Sequence, residues 1–369
     1  MSPMRENNGS PVRTLIVDDA PLMRKVIQQI LAKNDDIEVV GTAANGRECL
    51  SKILELRPDV VTLDIDMPVM NGITTVKNIM VRHQIPIVII SSMIQDGYFA
   101  FEALRLGVVD FVPKPSRIVS QDWGDEEELV RMRVRAASGM KVNRMRRVRR
   151  RKKVRKAGKP SEIAPPAVAV MGTTLAGPNT IMHILTKLHR DFSGAVIGLQ
   201  EIHPQILVPF CSSFNEISPL EVVPVTDTCV LRPGKAYIAS TFNGLRVEPS
   251  PTGSGEIALT VTKPVELPID ELFKSAAAHF GDRTCGILLT GVGIDGAEGL
   301  REIKANGGVT VGQEQECCVY PNIVEHALRQ DVVDYVLSNQ SIAAFLKSWL
   351  QEKIDDAKVA RESEARAAV

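Results

Sequence analysis

The sequence predicts an α/β protein of two units, each built on a doubly wound parallel sheet that helices cover on both faces. The chain has 369 residues, of which 44% are hydrophobic, and this length suffices for two ordinary domains with their own cores. Apolar strand-like runs alternate with helical stretches between residues 12 and 118, which is typical of parallel sheets. A second series begins near residue 167 with an apolar strand, a glycine-bounded turn and a helix.

The first unit is predicted to span residues 12–118, after a disordered N-terminus at residues 1–11. Its strands are predicted at Arg13–Val17, Ile37–Ala43, Asp59–Leu63, Pro86–Ile90 and Asp110–Val112. Its helices are predicted at Pro21–Leu31, Gly46–Leu56, Gly72–Val81 and Tyr98–Leu106. Turn formers such as Asn71-Gly72 and Gly107 mark the short connections between these elements.

Acidic residues follow two of these strands. Asp18 and Asp19 end the first strand, whereas Asp64 ends the third and Asp66 comes two residues later. Ligands of such sheets bind at the carboxyl ends of the strands. Carboxylates that converge there repel one another unless a hard cation such as Mg²⁺ binds between them. Taken singly, each acid is equally well a turn former or a helix cap.

A metal beside a carboxylate also allows phosphate chemistry. A carboxylate that attacks phosphorus forms an acyl phosphate, and a lysine ammonium then neutralises charge on the phosphoryl oxygens. Lys114, after the fifth strand, supplies such an ammonium, and Ser91 can donate a hydroxyl hydrogen bond. The pattern therefore predicts a phosphate switch.

The order and spacing of these residues resemble the response-regulator receiver domain, whose sheet is flavodoxin-like. The resemblance places Asp64 at the phosphoacceptor position and Asp18, Asp19 and Asp66 at the metal positions, which implies Mg²⁺ as a cofactor. It also places Ser91 and Lys114 at the hydroxyl and lysine positions and Phe111 at the aromatic switch position. A histidine kinase is the implied phosphate donor.

Residues 119–166 are predicted to form a basic helical linker. Asp125–Glu128 precede a basic stretch, and an acidic first turn followed by basic residues suits a helix that extends to about Lys156. Residues 141–159 contain twelve Lys or Arg and no acid, although the whole chain has a formal charge of zero. Nucleic-acid or acidic-membrane binding is the alternative interpretation, but the block contains no aromatic residue. The linker is favoured, and no specific nucleic acid is expected.

The second unit, predicted at residues 167–350, has two glycine turns. The first, Gly172–Pro178, joins a strand to a helix and lacks the Lys-Ser/Thr of a P-loop. The second, Gly291–Gly296, follows the strand Cys285–Thr290 and precedes the helix Ala297–Ala305. It matches the dinucleotide-binding pattern G-x-G-x-x-G, but Asp295 would project a negative charge toward a bound pyrophosphate.

More residues of the second unit resemble the catalytic domain of the CheB family, the chemotaxis protein-glutamate methylesterases and protein-glutamine glutaminases. The matching stretches include Gly172–Pro178, Leu199–Asn215, Leu231–Gly234, Phe273–Ala277 and Leu288–Gly308. A receiver, a linker and an esterase in this order are that family's architecture. The resemblance implies methyl-accepting chemoreceptors as partners and no cofactor in the second unit.

The resemblance also implies a triad of serine, histidine and aspartate, from which this chain departs. Thr174 stands at the nucleophile position, Glu201 at the histidine position and Asp295 at the aspartate position. The family's Met-Pro pair after the late Val-Tyr is replaced as well, because Pro321-Asn322 follows Tyr320.

These substitutions affect the expected chemistry. A threonine needs an adjacent base, and its β-methyl group crowds the attack. Glu201 facing Asp295 would form a carboxylate pair where an imidazole should lie. Two hypotheses follow: a phosphorylation-controlled binding protein with impaired or lost hydrolysis, or an active esterase that uses Thr174 with a displaced base such as His203.

The cysteines and the apolar segments of the chain bear on its cellular compartment. The six cysteines show no metal-ligand spacing, which suits reduced thiols in the cytoplasm. We expect no signal peptide and no membrane insertion, because the N-terminus lacks an apolar segment and no later stretch is long enough to span a bilayer. Residues 351–369 are predicted as a C-terminal tail.

Overall fold

The computed structural model describes residues 10–92, 97–114, 124–145, 148, 164–251 and 255–367. The chain divides into two compact units, at residues 1–147 and 148–369. Each has its own sheet, so each is described by itself. No described helix combines the length and the apolar character that crossing a membrane requires.

The first unit alternates strands and helices as the sequence predicts. Its strands are β1 (Val12–Val17), β2 (Ile37–Ala43), β3 (Val60–Leu63), β4 (Ile87–Ser91) and β5 (Asp110–Pro113). Its helices are α1 (Pro21–Leu31), α2 (Gly46–Leu56), α3 (Gly72–Arg82), α4 (Gly97–Leu106) and α5 (Gly124–Ser138). The sheet is parallel with the order β2-β1-β3-β4-β5. Because the order reverses at β1 and β3, the carboxyl ends of these strands border a crevice.

The helix predicted to reach Lys156 is shorter. Helix α5 ends at Ser138, and a 3₁₀ turn at Val142–Arg144 follows. Gly139 comes directly after the helix, and glycine is among the weakest helix formers. Most of the basic block lies outside the described residues.

The second unit contains ten strands and six helices among its described residues. Its strands are β6 (Val168–Gly172), β7 (Ala195–Gln200), β8 (Glu221–Pro224), β9 (Cys229–Val230), β10 (Lys235–Ser240), β11 (Gly244–Pro249), β12 (Ile257–Thr262), β13 (Thr284–Leu288), β14 (Val309–Gln313) and β15 (Tyr335–Leu337). Its helices are α6 (Gly177–Leu185), α7 (Pro204–Asn215), α8 (Pro268–Phe280), α9 (Ala297–Ala305), α10 (Asn322–Arg329) and α11 (Ser341–Ala367).

Seven of these strands form a parallel sheet with the order β15-β14-β13-β6-β7-β10-β8. The other three, β11, β12 and β9, form a small antiparallel sheet, which the sequence analysis did not predict. The central strands β6, β7 and β13 are completely buried, so helices cover both faces of the large sheet. Residues 351–367, predicted as a tail, continue α11.

Candidate phosphoacceptor and hydrolase sites

The acidic residues of the first unit lie at the carboxyl ends of β1 and β3. Asp18 and Asp64 are 1% and 3% exposed. The Ala20 backbone N–H donates to Asp18 Oδ1 at 2.9 Å, and the Ile65 N–H donates to Asp64 Oδ1 at 2.7 Å. Both carboxylates are therefore held by the loops that follow their strands.

Lys114 lies between these two carboxylates. Its Nζ is 2.6 Å from Asp64 Oδ2 and 2.7 Å from Asp18 Oδ2. Burial raises the pKa of Asp18, although Lys114 works in the opposite direction. Burial alone would lower the pKa of Lys114, but its two carboxylate partners raise that pKa overall. The ammonium thus stays charged and fixes both acids.

Three carboxylates of this pocket could hold a cation. Oxygens of Asp18, Asp19 and Asp64 lie within 4.8 Å of one another. Magnesium prefers oxygen ligands and commonly uses one or two carboxylates together with water and phosphate oxygens, so this donor set fits Mg²⁺. The Asp66 side chain is exposed and is not part of the group, and its predicted role as a ligand stays a prediction.

Two further residues of the predicted switch lie on β4 and β5. Ser91 is the last residue of β4 and is fully buried. The Lys114 backbone N–H donates to the Ser91 carbonyl at 3.1 Å, which ties the lysine to the serine strand. Phe111, in β5, is 6% exposed and so lies with its ring packed inward.

The loop after Asp64 approaches α3 closely. The Gly72 N–H donates to the Ile65 carbonyl at 2.8 Å. A Cβ atom at Gly72 would lie 2.6 Å from Ile65 Cα and 2.7 Å from the Asp64 carbonyl oxygen. Asn71 caps α3 by accepting the Thr74 N–H at 2.9 Å. Only glycine therefore allows this helix to begin against the backbone of the loop that follows Asp64.

In the second unit, the Thr174 hydroxyl is held by the backbone of one residue. Thr174 Oγ1 accepts the Val292 N–H at 2.7 Å and donates to the Val292 carbonyl at 3.1 Å. A Cβ at Gly291 would lie 2.4 Å from this hydroxyl, so the glycine permits the close approach. The hydroxyl proton points at a carbonyl, which cannot act as a general base.

The first N–H groups of the Gly291–Gly296 turn already donate hydrogen bonds to other residues of the second unit. The Gly291 N–H donates to the Tyr320 carbonyl at 2.9 Å, and the Gly293 N–H donates to Asn322 Oδ1 at 2.8 Å. Together with the Val292 N–H, these are the donors that a bound pyrophosphate would require. The dinucleotide interpretation of the turn therefore lacks available donors at all three positions.

Asp295 binds the beginning of α8. Its Oδ2 accepts the Ile269 N–H at 2.8 Å, and its Oδ1 accepts the Asp270 N–H at 2.9 Å. Asp270 in turn accepts the Gly299 N–H, in α9, at 2.6 Å. The carboxylate of Asp295 thus accepts N–H groups from the first turn of α8, and the carboxylate of Asp270 accepts one from the first turn of α9. Burial raises the pKa of Asp295 to about 6, against the effect of these backbone donors.

Asp270 is an acid that contributes to the raised pKa of Asp295, whereas the expected pairing of Asp295 with Glu201 stays a prediction. The physical reason is that the N-terminus of α8 binds the Asp295 carboxylate and brings its own Asp270 with it. Because the interaction joins residues 25 apart in sequence, no local pattern indicated it.

Glu201 and His203 follow β7. Glu201 is half-buried. His203 is the N-cap of α7, where its Nδ1 accepts the Gln205 N–H at 3.4 Å, and its ring packs edge-on against Phe242 with 5.6 Å between the ring centroids. Burial lowers the pKa of His203, so the ring is neutral at pH 7. Neither of these contacts involves Thr174.

Sequence reasoning missed two residues of this site, Val292 and Asn322, which hold the second glycine turn. Val292 acts through its backbone, so its side chain gave no signal. Asn322 stands where the chain departs from the family's Met-Pro pair and begins α10, and that departure was the available signal.

Comparisons with known proteins match both units of the chain. The family model described as response regulator receiver domain matches residues 14–120, and the one described as CheB methylesterase matches residues 169–346. A protein-glutamate methylesterase/protein-glutamine glutaminase of Pyrococcus horikoshii is 33% identical over 90% of this chain and 92% of its own length. The protein of the same name from Halalkalibacterium halodurans is 34% identical over 90% of this chain and 97% of its own.

Solved structures resemble each unit separately. The methylesterase catalytic domain of CheB from Thermotoga maritima aligns with 49% of this chain and 96% of its own, at 24% identity and a TM-score of 0.46. The response regulator domain of the same organism's CheB aligns with 35% of this chain and 96% of its own, at 38% identity and a TM-score of 0.32. From the two family models and the full-length relatives, the chain belongs to the CheB family of response regulators, with a receiver domain followed by a methylesterase domain.

Proposed function

We propose that this protein is a cytoplasmic chemotaxis response regulator that a histidine kinase phosphorylates on Asp64 with Mg²⁺, and whose methylesterase domain binds methyl-accepting chemoreceptors with impaired or lost hydrolysis. The observation that carries the proposal is the Thr174 hydroxyl, which donates its proton to the Val292 carbonyl at 3.1 Å instead of to a base. The family membership supplies the kinase and the receptors as partners.

The receiver pocket supports phosphorylation. An Asp64 oxygen attacks the phosphorus of a phosphohistidine, so that an O–P bond forms and the N–P bond to the departing imidazole breaks. Lys114 already contacts Asp64 at 2.6 Å and can neutralise one phosphoryl oxygen, and buried Ser91 can donate to another. Mg²⁺, when bound, neutralises charge on the phosphoryl oxygens. Asp18, Asp19 and Asp64 are the residues that would hold it, with Asp66 as a further predicted ligand.

The output domain supports binding better than hydrolysis. Ester hydrolysis needs a base that takes the hydroxyl proton and returns it to the leaving methanol. Glu201 replaces that base, and the Asp295 carboxylate is committed to the α8 N–H groups. Loss of a triad member removes several orders of magnitude in rate and leaves binding intact. The scaffold itself keeps three fully buried central strands.

The alternative function is an active receptor methylesterase and glutaminase that uses Thr174 with His203. The observation that favours it is the lowered pKa of His203, which keeps the imidazole unprotonated and basic at pH 7. Against it, Nδ1 accepts the capping N–H, so the proton of the neutral ring lies on Nε2 and neither nitrogen has a free lone pair to act as the base.

Methanol release from methyl-labelled receptor discriminates between these functions. Phosphorylated wild-type protein should bind receptor while it releases methanol at the background rate of a Thr174→Ala control. Asp64→Asn should abolish phosphate incorporation without changing the fold. Wild-type turnover that Thr174→Ala abolishes would overturn the proposed loss of hydrolysis, and its loss in His203→Gln as well would favour the alternative. Activity in the Thr174→Ser, Glu201→His double variant would show that the scaffold still supports the family chemistry.

A further inference from the structure

Two consecutive peptide groups of the second glycine turn are each held from opposite sides. The peptide between Gly291 and Val292 donates its N–H to Thr174 Oγ1 at 2.7 Å, and its carbonyl accepts the Ile323 N–H at 3.3 Å. The peptide between Val292 and Gly293 accepts the Thr174 hydroxyl at 3.1 Å, and its N–H donates to Asn322 Oδ1 at 2.8 Å. Thr174 therefore lies on one side of the turn and the beginning of α10 on the other.

Peptide planarity couples these contacts. The carbonyl and the N–H of one trans peptide point in opposite directions and rotate together. The bond from Gly293 to Asn322 therefore also sets the direction of the Val292 carbonyl, which accepts the Thr174 proton. Rotation of this one peptide would turn the carbonyl away from the hydroxyl.

Little else restrains that rotation on the Gly293 side. Gly293 has a φ of +111°, which glycine adopts readily, and a Cβ built on it would meet no described heavy atom within 4 Å. Asn322 is half-buried, and its amide is the side-chain partner of this peptide. Removal of the amide would therefore release the N–H end of this peptide.

We propose that Asn322 is a positioning residue that keeps the Thr174 hydroxyl bound to the Val292 carbonyl and so keeps the site closed to nucleophilic chemistry. The proposal rests on the proposed function, since it names a third residue, besides Thr174 and Glu201, that opposes hydrolysis. It implies that the family's chemistry returns fully only when Asn322 is replaced together with the other two.

The test measures hydroxyl reactivity and needs no receptor. In the Thr174→Ser, Glu201→His chain, an aryl sulfonyl fluoride is attacked by the serine oxygen: an O–S bond forms, the S–F bond breaks, fluoride leaves, and the introduced imidazole takes the hydroxyl proton. Adding Asn322→Ala should speed this labelling roughly two- to tenfold, the factor that one hydrogen bond of ordinary net strength provides. Adding Asn322→Asp restores an acceptor for the Gly293 N–H and should return the rate toward that of the parent.

Asn45 supplies a matched control, because it caps α2 of the first unit by accepting the Glu48 N–H at 3.0 Å. Asn45→Ala removes a similar capping bond and should leave the labelling rate unchanged. Equal rates for Asn322→Ala and its parent would overturn the proposal, and so would an equal acceleration by Asn322→Asp.

Residue-resolved amide exchange provides a second measurement in the otherwise wild-type chain, should the reactive background fail to fold. Asn322→Ala should speed exchange of both the Gly293 and the Val292 amides, because the turn loosens as one unit. Faster exchange at Gly293 alone would overturn the coupling. Neither readout depends on methanol release, so wild-type receptor hydrolysis would contradict the proposed function without deciding this proposal.

Discussion

Asp295 stands at the family's aspartate position, but its contacts in this structure are those of a residue that binds a helix N-terminus. Its two carboxylate oxygens accept the Ile269 and Asp270 N–H groups, which is the stabilising position for an anion at a helix N-terminus. An aspartate is therefore useful here whether or not a histidine is present. Its retention says little about catalysis.

The raised pKa of Asp295 predicts a stability that depends on pH. Its folded-state pKa of about 6 exceeds the ordinary 3.8, so its contribution to stability is fully present below pH 4 and is lost as the pH rises through about 6. A shift of this size corresponds to about 3 kcal/mol. Relative to Asp295→Asn, wild type should therefore gain up to about that amount in unfolding free energy when the pH falls from 7 to 4.

Urea unfolding in a Trp123→Phe background can measure this, because Trp349, in α11, then reports on the second unit alone. Asp270, whose pKa burial also raises, is electrostatically coupled to Asp295, so its own titration shifts when Asp295 is replaced and the measured difference describes the pair. A difference between wild type and Asp295→Asn that does not change with pH would contradict the prediction.

Lys114 is the residue on which the acidic pocket most depends. Lys114→Met leaves Asp18 and Asp64, at 1% and 3% exposure, without their shared cation, and breaking a buried ion pair typically costs about 3–5 kcal/mol. We expect the calorimetric transition of the first unit to fall in temperature and to recover partly with Mg²⁺, which replaces the missing positive charge. Glu38→Gln, which breaks an exposed pair with Arg13, should cost less than about 1 kcal/mol. Equal effects of the two substitutions, or no recovery with Mg²⁺, would count against this account.

Some contacts of the candidate sites could be predicted from the sequence, and others could not. Asp18, Asp64 and Lys114 could be placed together because each follows a parallel strand, and the strand ends meet at one edge. The Asp66 side chain follows a strand as well but is exposed, since its direction depends on the loop and not on the sheet. The bond between Thr174 and Val292 joins residues 118 apart in sequence, which no local pattern encodes.

At the scale of elements, helix α3 packs through one glycine against the loop that carries Asp64. The helix begins at Gly72, where a side chain would contact the backbone of Asp64 and Ile65 at 2.7 Å and 2.6 Å. Gly72→Ala must therefore shift either the helix or the phosphoacceptor loop.

We expect Gly72→Ala to cost about 1–3 kcal/mol and to slow phosphate incorporation into Asp64 from a small phosphodonor. Gly234→Ala is the control: Gly234 has a φ of +74°, but its nearest prospective neighbour is 3.5 Å away, so it introduces backbone strain without a clash near the pocket. A Gly72→Ala chain that is phosphorylated at the wild-type rate would contradict the expectation.

Local elements were the most predictable feature of the fold. The helices Gly46–Leu56 and Ala297–Ala305 were predicted with the bounds that the structure has, because periodicity, caps and turn residues are local signals. The antiparallel sheet of β11, β12 and β9 was not predicted, since its short strands pair across intervening loops. The bonds from Asp295 to the start of α8 and from Asp270 to the start of α9 were not predicted from the sequence either, because each carboxylate binds the backbone of a distant element.

At the scale of the whole molecule, the described contacts of each candidate site join residues of the same unit. Asp18, Asp64 and Lys114 all lie before residue 148, and the contacts of Thr174 and Asp295 all lie after it. The alternation of strands and helices was sufficient to predict two sheets. It could not predict the bonds between the Thr174 hydroxyl and the Val292 backbone, because these residues lie in separate loops 118 residues apart in sequence.

The division into two self-contained units predicts that residues 1–147 and 148–369 fold independently. Each large sheet has all of its strands within one unit, and the buried cluster of the second unit lies entirely between Val168 and Val332. Separately expressed pieces should therefore each unfold cooperatively in urea, and the first piece should incorporate phosphate at Asp64 at the rate of the full chain. A first piece with Asp64→Asn controls for phosphate at other sites. A piece that lacks a cooperative transition would show that its core depends on the other unit.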